Sequence, residues 1–385
     1  MVSIPFNRPS LVGDEIEYML EAIRLGQLSG DGVFTKRCNA LIEQMTGASC
    51  ALLTHSCTAA LEMAAFLCDL QPGDEVIVPS YTFVSTANAI VLRGAVPVFV
   101  DIDRDTLNIC PLAASRAVTA RTKAIFAVHY AGFPCDMDAL AGIAARHDLI
   151  LVEDAAQALG STYKGRPAGS LGDLGAFSFH ETKNVISGEG GALTINRPGL
   201  VERGEIIREK GTNRSRFVRG DVDKYSWVDV GSSYLPGELI ASFLLAQLER
   251  ADAIRDRRQA IVARYAEALA PLEAAGAVGL PAPQKDAVSN GHMFYLLLPD
   301  TGARRDFIAH MKANGFITPF HYVPLHSAPA GLRYGRVSGD MSVTNDIAGR
   351  LVRLPVYFDL GDDIERVITA VRGYFASALP TRRAI

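Results

Sequence analysis

Four short runs of apolar and β-branched residues, at 75–78, 96–100, 124–128 and 149–152, carry almost no polar alternation. A strand that stays apolar along its length is covered on both faces, which is the condition of a parallel sheet flanked by helices. Segments of helical period such as residues 139–147 lie between the runs, so the chain reads as repeated βαβ units. With 385 residues it can hold one large α/β unit and a smaller one. A functional site is then expected beyond the carboxyl ends of the strands, where open α/β sheets bind their ligands.

A helical stretch from Glu238 to about Ala270, with Leu239, Phe243, Leu244 and Leu248 on one stripe, leads into a different pattern. Residues 293–298 read as a strand, 304–314 as a helix and 364–379 as a closing amphipathic helix. The expected organisation is a large domain over 1–252 that includes an N-terminal arm, followed by a small α+β domain over 253–385.

Charge narrows the function. Lys and Arg total 38 against 42 Asp and Glu, a net charge of -4, which leaves no global positive field for nucleic acid. No stretch reaches the roughly 18 apolar residues of a membrane span, and the N-terminus turns acidic where a signal peptide is apolar. A cytoplasmic protein is expected. Six cysteines (Cys38, Cys50, Cys57, Cys68, Cys110, Cys135) form no CxxC pair, so neither a disulfide framework nor a metal site is expected.

The fourth apolar run ends in Val152-Glu153-Asp154-Ala155-Ala156-Gln157. Asp154 there either caps a helix or faces the crevice. An aromatic strand, Phe177-Ser178-Phe179, leads through His180-Glu181-Thr182 to Lys183 and then to Gly188-Glu189-Gly190-Gly191. A lysine beside glycines that admit a ligand to the backbone suits Schiff-base chemistry, for which a depressed amine pKa is needed. Pyridoxal phosphate adds a demand for an acid opposite its pyridine nitrogen, and Asp154 supplies one. Thr54-His55-Ser56-Cys57-Thr58 stands before an Ala/Leu-rich helix, where free N–H groups either receive a phosphate or are capped by the hydroxyls. In Pro79-Ser80-Tyr81-Thr82-Phe83, Tyr81 is expected to stack on a flat heterocycle and Phe83 to fill the core.

At these residues the chain resembles the DegT/StrS family of nucleotide-sugar aminotransferases. The likeness runs in order from Ile4-Pro5-Phe6-Asn7-Arg8-Pro9 to Phe320-His321-Tyr322-Val323-Pro324-Leu325-His326. It implies an α/β fold of the fold-type I class, with a mostly parallel central sheet in the large domain and a smaller C-terminal α+β domain. It also implies pyridoxal 5'-phosphate as cofactor, with pyridoxamine phosphate as the half-reaction form. Lys183 would bind the aldehyde and carry protons, Asp154 would meet the pyridine nitrogen and Gln157 the ring hydroxyl. Ser178, with Ser56, Cys57 and Thr58, would hold the phosphate, and Tyr81 would stack on the ring. His180, His321, Tyr322 and His326 would lie near the sugar nucleotide.

Two motifs depart from the family pattern: Ser56-Cys57-Thr58 replaces Ser-Gly-Thr, and Gly231-Ser232-Ser233 replaces Gly-x-Asn. Ser233 would therefore stand where an Asn reaches a neighbouring subunit's phosphate, in a homodimer with its sites at the subunit interface. Together with His129-Tyr130-Ala131-Gly132, these departures resemble a subgroup that aminates dTDP-4-dehydro-6-deoxy-D-glucose at C4. The donor would be L-glutamate, and the products dTDP-4-amino-4,6-dideoxy-D-galactose and 2-oxoglutarate, which points to surface polysaccharide. Amination at C3, a GDP or UDP keto sugar, and a non-catalytic pyridoxal phosphate-binding regulator are the alternatives. A dehydratase of this fold carries histidine in place of Lys183, and a dinucleotide enzyme needs a GxGxxG that the early strands lack. The basic loop at 209–219 is either solvated or placed to meet a pyrophosphate.

Overall fold

The computed structural model describes residues 3–378. Leu379, the expected last residue of the closing helix, and the chain ends of both expected domains (1–2 and 379–385) lie outside the described residues.

Seven strands of the main sheet come in order: β1 (Cys50–Thr54), β2 (Glu75–Pro79), β3 (Val96–Val100), β4 (Thr122–Val128), β5 (Ile150–Asp154), β6 (Leu174–Ser178) and β7 (Gly191–Ile195). Further on come β8 (Phe294–Leu297), β9 (Arg336–Val337) and β10 (Leu351–Leu354). The main sheet has the order β1-β7-β6-β5-β4-β2-β3-β9 and is parallel except at β7, which runs antiparallel to both neighbours. The apolar runs are thus strands covered on both faces, and all five residues of β2 are buried. The charged member of β2, Glu75, is matched by Arg336 of β9 at 2.9 and 2.7 Å. Hydrogen bonding to Arg336 holds the Glu75 carboxyl down at about 2, so the edge strand is fastened by a buried ion pair.

Helices α1 (Glu15–Leu25) and α2 (Cys57–Leu67) precede most of this sheet, and α3 (Glu238–Glu249) and α4 (Ala251–Ala274) follow it. In α2, Ala59, Ala60, Met63, Ala64 and Leu67 pack against Val76, Val78 and Phe126 of the sheet. Each fully buried Val, Leu or Phe in such a cluster contributes about 1.5–3 kcal/mol. The single helix expected from Glu238 is two. Arg250, at φ -107 and ψ 9, breaks the ladder, and α4 turns away to start a second core. There Ile261 and Tyr265 of α4 meet Phe294 and Leu296 of β8 and Val352 and Leu354 of β10. Helices α5 (Thr301–Ala313) and α6 (Asp363–Ala378) close this core with Phe307, Met311, Val367 and Val371, and Ile4 reaches it from the N-terminal arm.

Candidate active site

The carboxyl ends of β2, β4, β5 and β6 and the N-terminus of α2 surround a cavity of about 560 Å³, lined by Ser56, Cys57, Thr58, Asp154, Gln157, Ser178 and Lys183. The C-terminal part of the chain contributes Arg258, His292, His321, Tyr322 and Arg353 to the lining.

Sequence and geometry are linked most tightly at the turn before α2. Gly191 starts β7, and a Cβ there would stand 2.3 Å from the Ser56 carbonyl carbon and 2.4 Å from the Cys57 nitrogen. Only glycine lets β7 press against this turn. Ser56 caps the helix, its Oγ accepting from the Ala59 N–H at 3.1 Å. The N–H groups of Cys57 and Thr58 find no acceptor among the described residues, so two donors and the positive end of a helix dipole face the cavity. Thr58 Oγ1 lies 2.7 Å from Ser85 Oγ, which adds a second hydroxyl. Burial pushes the Cys57 thiol well up, so it is a neutral side chain, and it packs in part against the core.

Asp154 ends β5 and is 5% exposed. Its Oδ2 accepts from Thr86 Oγ1 at 2.7 Å and its Oδ1 from the Ala156 N–H at 3.2 Å. The carboxylate therefore faces the cavity from a strand end and caps no helix. Burial raises its pKa, and neither these bonds nor the Lys183 charge offsets that. Lys183 follows β6 in a turn closed by its own N–H on the His180 carbonyl at 2.9 Å. Its amine has no hydrogen-bond or ion-pair partner among the described residues, and desolvation lowers its pKa. A cavity floor with a basic amine at one point, an acid at another and an anion cradle at a third has the donor set that pyridoxal phosphate requires.

Gln157 donates from Nε2 to the Tyr322 hydroxyl at 3.1 Å and accepts from the Ala131 N–H at 2.8 Å, so its amide orientation is fixed. His180 lines the cavity, with Nδ1 2.9 Å from Thr182 Oγ1. His321 is buried, with Nδ1 3.1 Å from the Tyr130 hydroxyl, and burial holds its pKa well below the ordinary histidine value.

Three expectations change. Tyr81 does not line the cavity: it is 1% exposed, packs on Tyr130 and donates its hydroxyl to the His321 carbonyl. Phe83, expected in the core, is 57% exposed and lines the cavity instead. The reason is the turn after β2. Ser80 Oγ accepts from the His326 backbone N–H, and the chain bends through Ser80, Tyr81 and Thr82 before Phe83, which precedes the next helix. Alternation along an extended strand therefore no longer decides which ring faces the site. His326 likewise stays outside the cavity, its Nδ1 2.7 Å from Ser80 Oγ, where it ties the C-terminal loop to the end of β2. Ser233 is exposed and does not line the cavity of its own chain. In the basic loop, Arg214, Arg216 and Arg219 are engaged by Glu209, Glu202 and Glu205.

Sequence reasoning missed Arg258, His292 and Arg353, which lie at least 80 residues beyond the last of these strand ends in stretches of ordinary appearance. Lys183-Asn184 carried the one available signal. Asn184 Nδ2 donates to the Asn290 carbonyl at 3.0 Å, so its Oδ1 faces His292 Nδ1 at 2.9 Å. His292 must then carry its proton on Nδ1.

The DegT/DnrJ/EryC1/StrS aminotransferase family model matches residues 9–372. The spore coat polysaccharide biosynthesis protein SpsC of Bacillus subtilis is 36% identical over 383 residues, with 96% of each chain covered. The aminotransferase TlmJ of Streptoalloteichus hindustanus superposes with a TM-score of 0.88 at 31% identity, covering 98% of this chain and 99% of that one. The putative sugar aminotransferase Spr1654 of Streptococcus pneumoniae, in its PMP form, gives 0.90 at 27% identity over 98% and 100% of the chains. The same protein is also known in a PLP form.

Proposed function

The chain belongs to the DegT/DnrJ/EryC1/StrS aminotransferase family and is a pyridoxal phosphate enzyme; from that premise we propose that it moves an amino group from L-glutamate to a nucleotide-linked 4-keto-6-deoxyhexose. The acceptor is dTDP-4-dehydro-6-deoxy-D-glucose, and the products are dTDP-4-amino-4,6-dideoxy-D-galactose and 2-oxoglutarate. The observation that carries the reading is the meeting of Lys183, Asp154 and the open α2 N-terminus in one cavity.

The coenzyme, when bound, supplies an aldehyde that condenses with amines and a ring that withdraws electrons from the carbon attached to that nitrogen. The protein supplies the rest. The Cys57 and Thr58 N–H groups and the Ser56, Thr58 and Ser178 hydroxyls hold the phosphate. Asp154 keeps the pyridine nitrogen protonated, since a buried carboxylate without a cation is costly and that N–H⁺ is the partner it lacks. Gln157 turns its second Nε2 proton toward the ring hydroxyl. Lys183, once its amine is free, takes the proton from the substrate carbon and returns it on the other side of the transfer. It can do so because desolvation keeps that amine more acidic than a surface lysine.

Phe83 takes the stacking place first given to Tyr81. Phe83→Ala should weaken coenzyme affinity about 10-fold, the scale of one lost aromatic contact, whereas Tyr81→Phe should leave it within about twofold. Fluorescence titration of the coenzyme-free protein reads both.

A homodimer completes the site. Trp227 is 81% exposed and Val228 and Val230 are 51% and 44% exposed, an apolar stretch leading to Ser233. A second copy would cover it and bring Ser233 to the neighbouring phosphate.

The substrate assignment is tested with dTDP, UDP and GDP 4-keto-6-deoxy sugars, each with L-glutamate, and NMR of the product. A dTDP product bearing an axial amine at C4 is expected. An amine at C3, or preference for a GDP or UDP sugar by tenfold or more, would replace this acceptor with another.

A further inference from the structure

The cavity lining contributed by the C-terminal part of the chain carries positive charge that no carboxylate pairs with among the described residues. Arg353 of β10 lines the cavity, and its Nε is buried without any acceptor. Among the described residues the guanidinium makes one hydrogen bond, a long one from Nη2 to the Phe320 carbonyl at 3.3 Å. The guanidinium carbon lies 4.3 Å from the centre of the Phe6 ring of the N-terminal arm. Arg258 of α4, 3% exposed, donates to the carbonyls of Gly291 and His292 at 3.2 and 2.7 Å. Neither arginine forms an ion pair among the described residues.

Two carboxylates line the cavity, Asp154 and Glu189. Asp154 is committed to the floor, and the Glu189 side chain is 70% exposed and 3.7 Å from His180 Nε2. The Arg353 charge is felt at Lys183, His292 and His321, where it disfavours protonation. A cation withdrawn from water without a counter-ion is expensive, and the planar guanidinium fork matches the geometry of a carboxylate.

We propose that Arg353 is the anchor for the α-carboxylate of the amino-acid donor. The assignment rests on the transamination reading above. Only that carboxylate is bonded directly to the carbon whose proton Lys183 moves, so it must lie beside Lys183. The diphosphate of the sugar nucleotide is separated from the reacting C4 by the whole hexose ring and falls toward the mouth. In the half-reaction with the sugar no carboxylate is present, and Arg353 is left to water or product.

Holoenzyme variants Arg353→Met and Arg353→Lys test this. Met keeps the stem that packs on Phe6 and removes the fork, and Lys keeps the charge. Single-turnover spectra with L-glutamate, and with the keto sugar after loading pyridoxamine phosphate, separate the two halves. Calorimetry of 2-oxoglutarate and of dTDP reads binding apart from turnover. Arg353→Met should raise the half-saturating glutamate concentration and the 2-oxoglutarate Kd about 50-fold or more, with Arg353→Lys in between. The sugar half-reaction and the dTDP Kd should change by less than about threefold. Unchanged glutamate dependence, or a loss falling on dTDP instead, would overturn the anchor; so would equal loss of both halves in the two variants. A wild-type enzyme that leaves its coenzyme spectrum unchanged with every amino acid would remove the transamination reading and this one with it.

Discussion

Lys183→Ala should lower amino transfer by about 10⁴-fold or more, because it removes both the amine that binds the aldehyde and the base that moves the proton. Borohydride treatment of the wild-type holoenzyme should fix the coenzyme to the peptide bearing Lys183, and the variant should carry no such adduct. Coenzyme affinity should fall much less. The phosphate donors at Cys57 and Thr58 and the Asp154 carboxylate lie on other elements, and Lys183 makes no bond to them that its removal would break. The substitution also removes a buried amine that is poorly solvated, so the coenzyme-free variant should melt at or above the wild-type temperature. Retention of more than about a hundredth of wild-type turnover, or an adduct mapped to another lysine, would refute the assignment. Exogenous small amines offer a rescue test. Partial recovery with methylamine would locate the loss in proton transfer and exclude misfolding.

Much of this site was legible in the sequence because its members are short-range neighbours of strand ends. Asp154 terminates an apolar run and Lys183 follows an aromatic one, and the strand period fixes where such residues emerge. Ser56, Cys57 and Thr58 mark a helix start, which exposes N–H groups whatever the tertiary context. Tyr81 and Phe83 were misassigned because both lie past the last residue of β2, where a bend anchored at Ser80 replaces strand alternation. The break at Arg250 was hidden because the apolar stripe continues through it. Only packing against a second core shows that the helix must turn there. Arg258, His292 and Arg353 were invisible for a related reason. Their function-bearing feature is the lack of a counter-ion, and a missing partner is a property of three-dimensional neighbours that no local pattern encodes.

Asp154→Asn should separate stability from catalysis in opposite directions. In the coenzyme-free protein the Asp154 carboxyl is buried, and its pKa stands above the ordinary value. Below about pH 3.9 it is protonated in both the folded and the unfolded chain and costs nothing. As the pH rises past that value the unfolded chain ionises first, so stability falls until the folded carboxyl has ionised as well. Asparagine does not titrate. It keeps the acceptor for the Ala156 N–H, and its Nδ2 can donate to Thr86 Oγ1, which is free to turn its own proton toward Thr82 Oγ1 at 2.9 Å. The empty variant should therefore melt higher than the empty wild type at pH 7, with the gap closing as the pH is lowered toward the unfolded carboxyl value of about 3.9. Coenzyme reverses the order, because its ring N–H⁺ supplies the cation that the aspartate lacks and the asparagine cannot use. Saturating pyridoxal phosphate should raise the wild-type melting temperature more than that of the variant. Turnover should fall about 10²–10³-fold, the scale of removing one preorganised charge from a developing one. Activity within tenfold of wild type, or an equal coenzyme-induced shift in both proteins, would show that Asp154 does not face the ring nitrogen.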